Sequence, residues 1–335
     1  MKFASCAKIP VFRRSQPDRS PLPREHASLP SLATLPYTAT MEAPQHPDNF
    51  VPLAWNGLRL NVPDTWQPTR LGLRYVLLTD DNGPAFEWKW RPDAGRDGMA
   101  AALRALTPKR RAHTGMTLPD AWLDALSPYE LMPLSWRCEG QSGLGAALFH
   151  PETGMVAVFQ AYGGEDGPSA ERLDVVAAVL AGLRHDSAGA PQFRIYGLNF
   201  TPPAGYALAA FEFVPGRFAL NFAAGRRRLD VVRLAPAEVL LAEEPLGSLA
   251  VRVFGFDPSI LAEPAMLGDM PAVWLACRQG DCLVARLARF LGKPGRLAVM
   301  RHLTDVDKLL GVAATDRNSV DRQWLADVAV SCVSL

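Results

Sequence analysis

"GLRLNVPDTW" at residues 57–66 alternates apolar and polar side chains up to a proline and stops on an aromatic ring. "GLNFTPPAGY" at residues 197–206 repeats the phrase. Leu58, Leu60 and Val62 fall on one face of an extended chain, as do Leu198 and Phe200, and alternation of period two marks a half-buried strand. Pro63 and Pro203 cannot donate to a ladder, so each ends its strand or marks an edge. Trp66 and Tyr206 then stand at the same spacing, placed to pack back over the sheet. The fold reading follows from this repetition.

Other landmarks recur in the same order. "MPLSW" (132–136) returns as "MPAVW" (270–274), "FEWKW" (86–90) aligns loosely with "LDVVR" (229–233), and "SAERLDVVAAVL" (169–180) is matched by "SVDRQWLADVAV" (319–330). The last pair predicts two helices with Ser169 and Ser319 as N-caps and Glu171 or Asp321 in the first turn, near the positive end of the helix dipole. Apolar residues follow at helical spacing: Leu173, Val176, Leu180 and Leu183 in one, Trp324 or Leu325, Val328 and Cys332 in the other. Ordered landmarks of this kind indicate a tandem duplication of a unit of about 140 residues.

In the first unit the patterning predicts strands near 54–62, 73–79, 84–90, 133–139, 143–149 and 155–162, and helices near 97–107, 119–126 and 169–184. Asp97 and Pro119 suit helix starts, while "DDNG" (80–83) and "HPETG" (150–154) carry hairpin chemistry. Strands joined by short turns, with helices at intervals, make an α+β fold: two homologous domains, each an antiparallel sheet with helices packed on its faces. The boundaries are a segment 1–48, a first unit 49–187, a linker 188–191 within "HDSAGAP", and a second unit 192–335.

The "GLxLxVPxxW" opening strand and the Ser-capped closing helix resemble the PsbP-like α/β/α family, and the resemblance extends over both units. It implies a sheet-and-helix body used as a docking module, usually without catalysis. No functional residue is carried over by it, because the matching motifs are structural.

Segment 1–48 is a different kind of text. It holds Pro10, Pro17, Pro21, Pro23, Pro30, Pro36, Pro44 and Pro47 with scattered Ser and Arg, and a stretch without an apolar face cannot offset its ordering entropy. It is expected to be disordered, it lacks the apolar run of a secretory signal, and Met41 is an alternative start to Met1. Net charge is +1, so no global field steers the chain toward nucleic acid or an anionic membrane. The apolar run "VVAAVLAGL" (175–183) falls short of the ~20 residues that span a bilayer. Five cysteines, odd in number and unevenly spaced, form no disulfide framework and suit a reducing, cytoplasmic setting.

The chemistry-bearing residues are few. "CRQGDC" sets Cys277 and Cys282 within reach of one another as a metal or redox pair. It lacks the second ligand pair of a zinc site and the C-x-x-C of a redox motif, so the two thiols read as small buried hydrophobes. His26, His46, His113, His150, His185 and His302 form no ligand pair at helical spacing and neighbour no nucleophile motif. "KRR" (109–111) and the hairpin-like "GRRRLDVVR" (225–233) are the basic clusters, and Arg226, Arg227 and Arg228 are the interaction candidates. Residues 50–187 are net acidic and 192–335 only slightly basic, which argues against a nucleic-acid partner. "YGGEDGPS" (162–169) matches no phosphate-binding loop, and no residue is singled out as catalytic or as a cofactor ligand. The reading is therefore a non-catalytic binding or adaptor protein with a protein partner. The alternatives are an enzyme with a dispersed site at the domain interface, and weak nucleic-acid binding through the basic loops.

Overall fold

The structure is a computed structural model and describes residues 49–92, 94–106, 111–114, 116–138, 140–185, 189–276, 295–317 and 319–334. Strand Phe50–Trp55 (β1) turns back into Leu58–Pro63 (β2) over Asn56 and Gly57, whose φ angles are 46° and 93°. Two successive residues at positive φ give the tight turn whose twist suits a hairpin, and Asn-Gly tolerates it best. The second repeat makes the same reversal between Phe193–Ile195 (β11) and Leu198–Phe200 (β12), over Tyr196 at 49° and Gly197 at 72°. The span 54–62, expected as one strand, is thus a hairpin split at Asn56–Gly57. Downstream, both prolines close the same turn: the amide of Trp66 donates to the Pro63 carbonyl at 2.9 Å, and that of Tyr206 to Pro203 at 3.2 Å.

Each repeat then builds one seven-stranded antiparallel sheet. In the first its strands are Gln67–Gly72 (β3), Tyr75–Asp80 (β4), Gly83–Arg91 (β5), Arg111–Thr114 (β6), Glu130–Cys138 (β7), Gln141–His150 (β8) and Met155–Gly163 (β9), in the order β3-β4-β5-β9-β8-β7-β6. The second uses Ala207–Val214 (β13), Arg217–Ala224 (β14), Arg227–Leu234 (β15), Glu263–Leu267 (β16), Met270–Ala276 (β17), Gly295–Leu303 (β18) and Lys308–Asp316 (β19). Its order is β13-β14-β15-β19-β18-β17-β16, the same path through space. The inner faces carry Phe86, Trp88 and Phe159 in one sheet and Leu229, Val231 and Val312 in the other. Against these pack Asp120–Ala125 (α2), Ala170–Ala181 (α3) and, in the second repeat, Arg322–Ser331 (α6). The outer faces meet Asp97–Leu106 (α1) in the first repeat, and Ala237–Glu243 (α4) with Leu246–Phe254 (α5) in the second. The α+β class holds, with helices on both faces of each large sheet.

The repeats are joined through a third sheet. Short strands Arg184–His185 (β10) and Val333–Ser334 (β20) complete a six-stranded sheet ordered β10-β2-β1-β11-β12-β20, in which β1 of the first repeat pairs with β11 of the second. Residues 189–191 therefore connect two strands of one sheet. Ala54 lies opposite Arg194, the same place in both hairpins. Trp55, fully buried, packs edge-on against Phe193 at 5.5 Å and Phe211 at 5.0 Å between ring centres. Its indole Nε1 donates to the Gly72 carbonyl at 2.7 Å. Tyr196 stacks on Phe218 at 4.9 Å and donates its hydroxyl to the Pro68 carbonyl of the first repeat. One continuous core results, running from Trp88 and Trp122 through this seam to Phe222 and Val312.

Two details depart from the sequence reading. Trp136 and Trp274 do lie on equivalent strands, β7 and β17, but on opposite faces: Trp136 is in the outer cluster with Leu134 and Val158, Trp274 in the inner core. The ladders equate Trp274 with Pro133, since these face Val299 and Ala146 on the next strands. The three-residue discrepancy is odd, and an odd shift along a strand exchanges faces. The second concerns the closing helices. Ser169 caps α3 by accepting from the Arg172 amide at 3.2 Å, but α6 is capped by Asp321, which accepts from Trp324 N at 2.9 Å, and not by Ser319. Replacing Asp321 with Ala is accordingly expected to cost about 1 kcal/mol, and Ser319→Ala close to nothing. Urea denaturation of the two variants separates these outcomes.

Candidate functional site

The largest concentration of buried polar atoms among the described residues is on the outer face of the first sheet. In β5 the rings of Phe86, Trp88 and Trp90 point to the core, so Glu87 and Lys89 point outward. In β9 Phe159 and Ala161 point inward, so Gln160 and Tyr162 point outward. The ladders set Glu87 opposite Gln160, Leu77 opposite Glu87, Tyr75 opposite Lys89, and Trp136 opposite Gly143, which faces Tyr162. The Glu87 carboxylate, only 5% exposed, accepts from the Gln160 amide and the Tyr162 hydroxyl and pairs with Lys89 Nζ at 2.9 Å. Gln160 in turn accepts from Trp136 Nε1 at 2.7 Å, and Lys89 lies over the Tyr75 ring at 4.9 Å. Gly143 makes room for the indole: a Cβ there would fall 2.3 Å from Trp136 Nε1.

These contacts lock the charge states. Burial works to raise the Glu87 pKa, but the Lys89 ammonium and the hydrogen bonds from Tyr162 and Gln160 outweigh it and hold the carboxyl below its usual range. Tyr75 moves the other way: burial first, then the Glu87 charge, pushes its phenol far up, against the pull of Arg70. Glu87 stays anionic and Tyr75 neutral around pH 7, so neither is poised to exchange a proton there. The cluster offers instead a fixed pattern of donors and acceptors flanked by half-exposed side chains, the rings of Tyr75 and Tyr162, the ammonium of Lys89 and the aliphatic Leu77.

The second repeat supplies a comparison. Its positions equivalent to Tyr75, Lys89 and Gln160 are Ala219, Val232 and Ala313, all buried beneath α4 and α5 in a cluster with Leu249 and Phe254. Asp230 stands where Glu87 does and takes a 2.8 Å hydrogen bond from Asn221. One scaffold thus carries one outer face closed by α4 and α5 over these positions, and one where α1 packs on β8 and β9 and leaves the polar Tyr75 and Lys89, at the equivalent positions, half-exposed.

The residues singled out from the sequence lie elsewhere. Arg226, Arg227 and Arg228 are all exposed at the β14–β15 turn. Arg227 covers the Tyr206 ring at 5.5 Å, and Arg228 bonds the Gly225 and Arg227 carbonyls at 3.0 and 3.2 Å. Cys277, Cys282, Lys109 and Arg110 lie outside the described residues. Cys332 is fully buried, which pushes its thiol pKa up to about 12 despite nearby Arg301. Among the described residues no group of three or more His, Cys, Asp or Glu side chains is arranged to hold a metal ion, and no helix is long and apolar enough to cross a membrane. Sequence reading missed Glu87, Gln160 and Tyr162. Their signal is polar residues alternating with rings in "FEWKW" and "FQAYG".

The chain matches no protein-family model and no curated protein. Among solved structures it is similar to MucB in complex with MucA(peri), at 12% identity and a TM-score of 0.20, over 83% of this chain and 81% of that one.

Proposed function

We propose that the protein is a binding module without catalysis of its own and that the outer face of the first repeat docks a protein partner. The observation that carries this reading is the unequal finish of two equivalent faces, closed by α4 and α5 over Ala219 and Val232 but half-open over Tyr75 and Lys89. Tyrosines and a cation held in place by buried hydrogen bonds present contact area at low entropic cost, as interface centres do. The fixed protonation of Glu87 and Tyr75 favours recognition over acid–base work. The alternative of an enzyme site between the repeats finds the core side of that seam filled by Trp55, Phe193, Phe211 and Tyr196. The PsbP-like resemblance belongs to the same proposal, supported by helices on both faces of each seven-stranded sheet.

A photo-crosslinking residue placed at Lys89 in the full chain, in its native host, tests the reading. A discrete protein adduct is expected there and not from the same probe at Arg226. With that partner in hand, Tyr75→Ala is expected to weaken binding by roughly 2 kcal/mol, about 30-fold. Equal labelling from both positions, or none from Lys89, would overturn the assignment.

A further inference from the structure

The outermost strands of the two seven-stranded sheets, β3 and β6 in one and β13 and β16 in the other, are finished unequally. An edge strand exposes unpaired amides and carbonyls, and folds guard such edges with proline, charge or brevity. β3 carries Pro68 and Arg70, and its carbonyls at Pro68 and Gly72 accept from Tyr196 and Trp55. β6 has four residues and opens on Arg111, and β16 carries Pro264 and Glu263, the latter held by Arg322 at 2.9 and 3.0 Å. β13, "ALAAFEFV", is eight residues long without a proline, and its one charge, Glu212, pairs with Arg217 at 3.3 Å. A bulge at Ala209 lies near its start and leaves residues 210–214 in unbroken register with 217–221. Among the described residues β13 pairs with β14 alone, and Ala207, Ala209, Ala210, Glu212 and Val214 are exposed along it.

β3 and β13 are counterparts. Leu71 faces Val76 and Phe211 faces Leu220, each one place along from Tyr75 and Ala219, so Arg70 stands where Ala210 does. The scaffold therefore accepts a proline and an arginine at this edge, and the second repeat has neither. On the core side of the open edge Phe211 and Phe213 are half-buried, their rings 5.0 and 5.8 Å from Trp55, and Phe213 lies 5.1 Å from Tyr196. We propose that β13 pairs antiparallel with β13 of a second copy of this chain, joining two seven-stranded sheets across a two-fold axis. The strand is its own complement. An axis through Phe211 sets that ring against its copy on the core side and places Glu212 opposite Ala210. An axis through Glu212 would oppose two carboxylates directly, which is unfavourable. A partner protein's extended segment would draw its specificity from pockets for alternate side chains, and Ala207, Ala209 and Ala210 border the edge with methyl groups only. An edge of this length makes an interface in the weak, reversible class below about 1,200 Å², so a Kd on the order of 10–100 µM is expected.

The test is sedimentation velocity on the full chain, at concentrations from about 1 to about 500 µM. The wild type is expected to pass from one chain to two as concentration rises. Ala209→Lys/Val214→Lys, at two exposed positions of β13, gathers like charges around the axis and is expected to weaken the dimer at least about tenfold. Thr69→Lys/Leu73→Lys adds the same charge at exposed positions on and beside β3 and is expected to leave the dimer unchanged. Should circular dichroism show the first variant unfolded, Val214→Lys alone, at the exposed end of the strand, is expected to weaken the dimer in the same direction. A wild type that stays a single chain at every concentration would overturn the proposal. Equal loss in both lysine pairs would reduce the association to general charge, and equal persistence would place it on another surface; either result overturns the pairing through β13.

Discussion

Residues 49–190 and 191–335, produced as separate chains, are each expected to fail to fold, giving aggregate or a species without near-ultraviolet dichroism. The cut unpairs β1 from β11 and leaves a long sheet edge open to association. It also strips Phe193 and Phe211 from around Trp55, and removes the Pro68 acceptor from Tyr196. Burial of a large side chain stabilises by about 1.5–3 kcal/mol, so exposing these rings together withdraws roughly 5 kcal/mol. An ordinary domain has about 5–15 kcal/mol in all. Co-expression of the two halves is expected to restore a folded complex, read by size exclusion. A monomeric half with a cooperative unfolding transition would refute the expectation.

The second large effect is at Glu87. Glu87→Ala leaves the Tyr162 hydroxyl and the Gln160 amide without their acceptor, while the Lys89 ammonium, 44% exposed, regains water, and orphaning partly buried donors costs about 1–3 kcal/mol. Glu87→Gln keeps the shape and is expected to lose less. The pH dependence has a definite sign. The folded-state pKa is lowered relative to a free glutamate at about 4.3, so the carboxylate's contribution is full above about pH 5 and is lost as pH falls through the folded value. Urea unfolding at neutral and at acid pH should therefore show wild type and Glu87→Gln converging as the pH drops. A gap that stays constant down to pH 3 would remove Glu87 from the account.

What the sequence made legible was local. The strands opening at Leu58 and Leu198, the turns after Pro63 and Pro203, and the helices over 97–106 and 170–181 each rest on a few adjacent residues whose backbone preferences agree. The reversal at Asn56–Gly57, by contrast, was hidden inside a stretch that reads as one strand. Repetition then raised those local signals to a statement about architecture. Pairing between distant strands left no comparable trace. Nothing in "FRI" or "PLAW" says that Ala54 will meet Arg194, because a ladder is formed by backbone atoms that every residue shares. "MPLSW" and "MPAVW" matched as text while their tryptophans face opposite ways, since register is set by the neighbouring strands β8 and β18. The Glu87 cluster needed β5, β7 and β9 in register at once. Its alternation was visible in each strand, but the convergence was not. Ser319 lost the cap to Asp321 because either side chain can accept from a helix amide, and the turn before α6 decides which one reaches.

Ala54 and Arg194, counterparts that meet across antiparallel strands, are what a symmetric homodimer places on its axis. Two copies of a single repeat would build this sheet by self-association, and every substitution on its surface would then appear twice. Fusion into one polypeptide removes that constraint. Arg59 and Arg184 occupy one half while Asn199 and Val333 occupy the equivalent places in the other, so each surface of this sheet exists once per chain, where an unfused ancestor would have offered a matched pair.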